Sequence, residues 1–190
     1  MTDKETNELV SGICRKDRQA QRRMLQMYGE MIFGQVARIV TCQEDAEEVY
    51  QDVFVNVFNN IRSYDSKKAS LSTWLSRIAY NESINFLRRN KPPVIYVEDS
   101  ELDRDSIMEE QSAMIFQQQD EQTVRIVERA LDYLPPDELA LITMFYFDDM
   151  SIKDIAFVTD SISSTVASRL SRTRNKLYRI IKSFSHEREG

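Results

Sequence analysis

The sequence predicts an all-α protein of two small helical domains joined by an acidic linker, and three observations carry that expectation. Apolar residues recur at three- and four-residue steps through most of the chain on either side of 92–122. The four prolines form two pairs, Pro92-Pro93 and Pro135-Pro136, and each pair follows a periodic segment that it should end. Charge is unevenly divided. Residues 92–122 hold nine acids against one base, Arg104, so this stretch carries −8 and the rest of the chain +2; the overall −6 describes neither part. With 190 residues and 42% hydrophobic content, the chain is long and apolar enough for real cores and too apolar for wholesale disorder.

The elements follow in order. From Asp17 to Thr41, Met24, Leu25, Met27, Tyr28, Met31, Ile32, Val36 and Ile39 keep helical spacing. From Asp45, the series Ala46, Val49, Tyr50, Val53, Phe54, Val57, Phe58 and Ile61 holds one apolar stripe on one helix face. Leu71, Trp74, Leu75, Ile78, Ala79 and Leu87 mark a further helix over 71–89, so three or four helices pack together before Pro92. Residues 92–122 lose this periodicity and read as a solvated, partly disordered linker. Thr123–Leu134 is amphipathic again, and Pro135-Pro136-Asp137-Glu138 opens another helix with proline and acids where a helix N-terminus favours them. A short helix from Ser151 to Val158, the connection Thr159-Asp160-Ser161-Ile162, and a last helix capped by Ser163 or Ser164 make a helix-turn-helix pattern. The expected domains are therefore 1–91 and 123–190, with 92–122 between them.

Several function classes drop out. With glycines only at 12, 29, 34 and 190, nothing between them and the C-terminus forms a glycine-rich phosphate loop, dinucleotide fingerprint or nucleophile elbow. Cys14 and Cys42 fit neither a disulfide framework nor a zinc knuckle and read as small core residues. The single histidine, His186, lies in a polar tail with no nucleophile in view, and the carboxylates form no metal or acid/base pattern. The chain reads as a non-enzyme with no metal or cofactor. It lacks a bilayer-length apolar run and a secretory start, so a cytoplasmic protein is expected.

Two regions carry chemistry. From Ser163 to Lys182 there are six bases, Arg169, Arg172, Arg174, Lys176, Arg179 and Lys182, and no acid, a balance suited to phosphates lining a DNA groove. With Val166, Leu170 and Leu177 inward, Ser164, Thr165, Ser168, Ser171 and Arg172 turn outward for base and phosphate contact. A solvated or protein-binding face is the plainer alternative. The second region is the polar loop Ser63–Ser70, with Lys67 and Lys68, leading into a helix where Arg77, Asn81, Asn85 and Arg88 share one face. Amides and guanidinium groups in that arrangement suit phosphates and unpaired bases, while Trp74 in the apolar stripe reads first as core.

These residues resemble a known family. Asp45-Ala46-Glu47-Glu48-Val49-Tyr50-Gln51-Asp52-Val53-Phe54, Thr73-Trp74-Leu75-Ser76-Arg77-Ile78-Ala79-Tyr80-Asn81 and Arg88-Arg89 resemble regions 2.2 to 2.4 of sigma-70-type initiation factors, in the small extracytoplasmic-function (group IV) form. Leu134-Pro135-Pro136, Asp154-Ile155-Ala156 and the stretch from Thr165 to Leu177 are similar to region 4 of the same family. The resemblance implies that Glu48, Gln51, Asp52 and Val55 bind the beta-prime clamp of core RNA polymerase, with the beta flap as a second contact. It implies that Lys67, Lys68, Ser70, Trp74, Arg77, Asn81, Asn85 and Arg88 open and capture the −10 element of promoter DNA. Ser164, Thr165, Ser168, Arg169, Ser171, Arg172 and Lys176 would read the −35 element as duplex. An anti-sigma factor, often membrane-anchored, is a further implied partner.

Three departures are visible: Ala167 where the family usually has Lys or Arg, Asp160 in place of the turn glycine, and Leu71 where an aromatic is common. Aspartate tolerates the left-handed conformation, so the turn should survive. Elements two helical turns apart lie roughly 70 Å from each other, and a linker over 92–122 spans up to about 100 Å when extended. The acidic linker would also shield the basic last helix in the free protein. An ordinary helix-turn-helix regulator and a protein-only helical adaptor are the competing readings; region 45–89 argues against the first, and DNA binding would exclude the second.

Overall fold

The computed structural model describes residues 2–90 and 121–186, with side chains over 2–90 and 125–184. All regular structure among them is helical: α1 (Asp3–Cys14), α2 (Arg18–Ile39), α3 (Gln43–Asn60), a 3-10 turn (Ile61–Ser63), α4 (Leu71–Asn90), α5 (Glu121–Leu131), α6 (Pro136–Tyr146), α7 (Ile152–Val158) and α8 (Ser163–His186). Residues 92–120 of the expected linker and the His186 side chain lie outside the described residues. The linker's last two positions, Glu121 and Gln122, already belong to α5.

The first module is a bundle of α1 to α4. The first two helix starts are capped by side chains. Thr2 and Glu5 form a capping box on α1, and the Asp17 carboxylate accepts from the Gln19 amide at the head of α2. The apolar stripe of α3 packs inward as Ala46, Val49, Val53, Phe54 and Val57, meeting Met24, Ile32 and Val36 of α2 and Leu71, Leu75 and Ala79 of α4. A Cβ on Gly12 would stand 2.7 Å from Ala20 Cβ, so glycine is what allows α1 to seat closely on α2. Helix α1 also packs on the 3-10 turn that launches the loop before α4.

The second module packs α5 to α8 around Leu134, Leu141, Ile142, Ile155, Val158, Val166, Leu170 and Leu177. Pro136 opens α6 at its first turn, with Asp137 and Glu138 beside it. Ser151 caps α7 by accepting from the Asp154 amide. Helix α7 ends in a Schellman-type turn: Asp160 is left-handed at φ 54°, and the Ser161 amide donates to Ala156 O at 2.9 Å. Ile162 O then accepts the first bond of α8, from Val166 N, so Ile162 holds the cap position and Ser163 and Ser164 lie within the first turn. That corrects the expected serine cap; the turn's geometry fixes which carbonyl comes first. The two modules meet along α4 and α7, with α6 touching α2 and α4.

Candidate nucleic-acid interface

On α3, Glu48, Gln51, Asp52 and Val55 all lie on the exposed face opposite the buried stripe. Val55 is 58% exposed, a large apolar side chain left in solvent among acids and an amide.

The loop before α4 is held by local bonds. The Asp65 carboxylate accepts from the Lys67 amide at 3.0 Å, and Asp65 O accepts from the Lys68 amide at 3.0 Å. This turn holds its own backbone, and the Lys67 and Lys68 side chains are exposed. Ser70 starts α4: its hydroxyl accepts from the Thr73 amide at 3.1 Å and its carbonyl from the Trp74 amide. Farther along, Asn81, Asn85 and Arg88 are exposed on one face. Two residues of the expected −10 group stand elsewhere. Trp74 is 8% exposed and meets Tyr64 edge-on, centroids 5.8 Å apart, so it packs as core, because its position in the apolar stripe outweighs its polar neighbours. Arg77 reaches the other module: it donates to Phe157 O and to the Asp160 carboxylate, both at 3.2 Å, with its guanidinium 5.1 Å from the Phe157 ring.

On α8, Ser164, Thr165, Ser168 and Arg172 are exposed, and Ser171 is half-buried. Arg172 Nε points along its own helix toward Ser168 O at 3.4 Å. Arg169 and Lys176, expected among the −35 contacts, are each held in an ion pair within the module. Arg169 pairs with Asp137 at 2.6 Å and Lys176 with Glu138 at 3.0 Å, tying α8 to the acidic first turn of α6. Burial pushes the Tyr80 phenol up, with Arg169 lowering it and Asp137 raising it; the ring of α4 is therefore near this same pair.

Sequence reasoning missed two residue pairs at the seam between the modules. Buried Thr73 donates from Oγ1 to the Asp154 carboxylate at 3.2 Å. Arg38 pairs with Asp148 at 2.8 Å and lies 5.6 Å from the Phe147 ring. Burial raises the Asp148 carboxyl above its ordinary range, with Arg38 opposing. Cys42, expected in the core, is exposed, and its thiol donates to Glu44; it stands in the short connection before α3, where no apolar stripe draws it inward. Among the described residues, no group of His, Cys, Asp and Glu could hold a metal, and no helix is long and apolar enough to cross a membrane.

Among the described residues the regular structure is all helical, with a polar-faced helix in one module and a helix-turn-helix, a common DNA-binding motif, in the other. Comparison with known proteins narrows the class. The family models for sigma-70 region 2 and sigma-70 region 4 match residues 24–92 and 125–177, together more than half the chain and in that order. The RNA polymerase sigma-H factor of Pseudomonas aeruginosa is 26% identical, covering 98% of this chain and 99% of the relative. The sigma-E factor of Escherichia coli K12, of extracytoplasmic-function type, is 28% identical, covering 93% and 95%. In fold, the chain is similar to CnrH solved with the cytosolic domain of CnrY, at TM-score 0.63 and 20% identity, covering 92% of this chain and 96% of that one. It is also similar to Bartonella quintana RpoE solved with the anti-sigma factor NepR, at TM-score 0.59 and 18% identity, covering 85% and 96%. The chain belongs to the sigma-70 family of RNA polymerase initiation factors, in its extracytoplasmic-function branch.

Proposed function

We propose that the chain's working parts are divided as 1–91 for polymerase docking and the −10 element, 92–122 as tether, and 123–190 for the −35 element. The observation that carries this reading is the pairing, in one chain, of the exposed amide and guanidinium face of α4 with a helix-turn-helix whose second helix bears an exposed Ser164, Thr165, Ser168 and Arg172. The α3 stripe of Glu48, Gln51, Asp52 and Val55 docks on the beta-prime clamp of core polymerase, Val55 supplying the desolvated centre and the acids the register. The second module meets the beta flap.

At the −10 element, Lys67, Lys68, Ser70, Asn81, Asn85 and Arg88 hold the separated strand, Arg77 joins them when released from the second module, and buried Trp74 supports the helix from beneath. Extruding a base costs a few kcal/mol of stacking, which these charge-assisted contacts offset. At the −35 element, Ser164, Thr165, Ser168, Ser171 and Arg172 face the groove, while Arg169 and Lys176 position α8 through Asp137 and Glu138. The chain performs no catalysis of its own and uses no cofactor in this reading; the polymerase it joins makes the bonds. It works in the cytoplasm, where its template is, and an anti-sigma factor, membrane-anchored or not, is its expected inhibitor, as NepR is the partner of the similar RpoE.

Reconstitution tests the proposal. Purified core polymerase with this chain is expected to start transcripts from a pool of promoter fragments that core alone ignores. Transcripts no more numerous than the core background overturn it.

A further inference from the structure

Beside the row of Asn81, Asn85 and Arg88, α4 carries an acid. Glu82 follows Asn81 directly and stands one turn before Asn85, so it borders the exposed face on the side where α4 packs on α3. The Asn56 side chain of α3 donates from Nδ2 to Glu82 Oε1 at 2.6 Å, and both residues are half-buried. One turn along α3, Asn60 donates from Nδ2 to Asn56 Oδ1 at 2.7 Å. That second bond decides which way the Asn56 amide faces: with its oxygen turned to Asn60, its nitrogen is left for Glu82. The chain of bonds from Asn60 through Asn56 holds the carboxylate in one orientation. The other oxygen, Glu82 Oε2, has no hydrogen-bond partner among the described residues.

Neither the backbone of a strand nor the packing of α4 on α3 explains the charge. A carboxylate repels phosphate, and a neutral glutamine would accept from Asn56 as well as Glu82 does. A base edge does explain it. Oε2 only accepts, and the Asn85 amide one turn away can donate. The pairing edge of an extruded adenine or cytosine is the complement, an exocyclic amine beside a ring nitrogen that accepts. Thymine presents the reverse, a carbonyl beside a ring N–H. Guanine has two adjacent donors that suit both oxygens of a carboxylate together, but here one oxygen is already turned to Asn56.

We propose that Glu82, positioned by Asn56 and Asn60, is a specificity residue of the −10 site: at one position of the separated strand it selects a base with an exocyclic amine next to a ring acceptor, adenine or cytosine. This rests on the reading of α4 as the strand-binding helix. The amides and cations of α4 give the strand its hold, and Glu82 supplies rejection. A thymine carbonyl against Oε2 sets two acceptors face to face and leaves both unpaired, which discriminates more sharply than the loss of one good contact.

The test uses core polymerase reconstituted with the full chain and a promoter fragment that this holoenzyme opens, with each base of the −10 region randomised in turn. Sequencing the fragments retained in open complexes gives the base preference at each position. The parent should favour adenine or cytosine over thymine at one position by at least about fivefold, and the one enriched there identifies the base. Glu82→Gln keeps the tie to α3 through its carbonyl, and so the fold, while it turns an amide N–H toward the base; at that position alone the preference should pass to thymine or guanine. Asn56→Ala, which loosens Glu82, should shrink the same preference without reversing it. Replacing the amine of the preferred base by hydrogen should weaken open-complex formation at least about fivefold with the parent and leave Glu82→Ala nearly unaffected. Identical preferences in parent and Glu82→Gln, or equal losses on amine removal in parent and Glu82→Ala, overturn the assignment; a preference unchanged in Asn56→Ala overturns the positioning by α3. Failure of the unmodified chain to open any promoter with core polymerase is the separate outcome that removes the reading on which the proposal rests.

Discussion

The two helices proposed to face DNA are built alike and presented differently. Helix α4 turns Arg77, Asn81, Asn85 and Arg88 away from its own core, and α8 does the same with Ser164, Thr165, Ser168 and Arg172. Yet Arg77 is held by the neighbouring module, whereas Arg172 bonds only within its own helix among exposed neighbours. Facing outward from one's own core is thus a weaker condition than facing solvent. A helix in a tethered pair can satisfy the first and fail the second.

The largest expected effect comes from removing the floor beneath each face. Leu177 under α8 and Leu75 in α4 are both fully buried, and truncation of either to alanine should cost about 2–5 kcal/mol. Chemical denaturation should show Leu177→Ala weakening the second module and −35 duplex binding while leaving α1 to α4 folded; Leu75→Ala should do the reverse. A single shared transition, shifted equally by both, would mean that the modules fold as one unit.

Next come the two arginines. Arg172→Ala should weaken duplex binding by the free chain, lowering the slope of log affinity against log salt by about one. Arg77→Ala should barely change single-strand binding by the free chain, because its guanidinium is occupied there. In the assembled polymerase the same change should reduce open-complex formation by about tenfold, the loss of one charge-assisted contact. Titration of a labelled promoter at several salt concentrations measures both.

The smallest effect is a pH dependence at the seam. Burial raises the Asp148 carboxyl, so its charged form is disfavoured in the folded chain. A raised carboxyl contributes stability at low pH and loses it as pH rises through its folded value. Asp148→Asn removes that penalty, so the variant should melt above the parent near neutrality, and the gap should close as pH falls toward 4, the ordinary carboxylate range. A gap that widens on acidification would show that the Arg38 pair, and not burial, governs this carboxyl.

Much of this architecture was legible because helices advertise themselves by period. The stripe from Ala46 to Val57, the proline that opens α6, the aspartate-bearing turn and the basic α8 all depend on neighbours within a few residues. The seam was not legible, since its bonds join residues 110, 81 and 83 positions apart and no local pattern couples them. Arg169 and Lys176 were expected among the −35 contacts, and their pairing was missed for a related reason. Spacing along α8 places them off the apolar stripe, but the acids that draw them aside belong to α6. Trp74 shows the converse, where the stripe alone told the right story and its polar surroundings did not. At Cys42 the usual burial of a free thiol misled: in the three-residue connection between α2 and α3 it is Val40 that turns inward, while Cys42 stands exposed at the head of α3.

The tight seat of α1 on α2 at Gly12 bears on the placement of a loop far from it in sequence. Helix α1 also braces the 3-10 turn from which the Lys67 and Lys68 loop departs, so it works as a bracket for a loop it does not touch in sequence. A Cβ at residue 12 would stand 2.7 Å from Ala20 Cβ, so Gly12→Ala should shift α1 and with it the 3-10 turn it packs on. In the proposed reading, α1 thereby helps to aim the loop of Lys67 and Lys68.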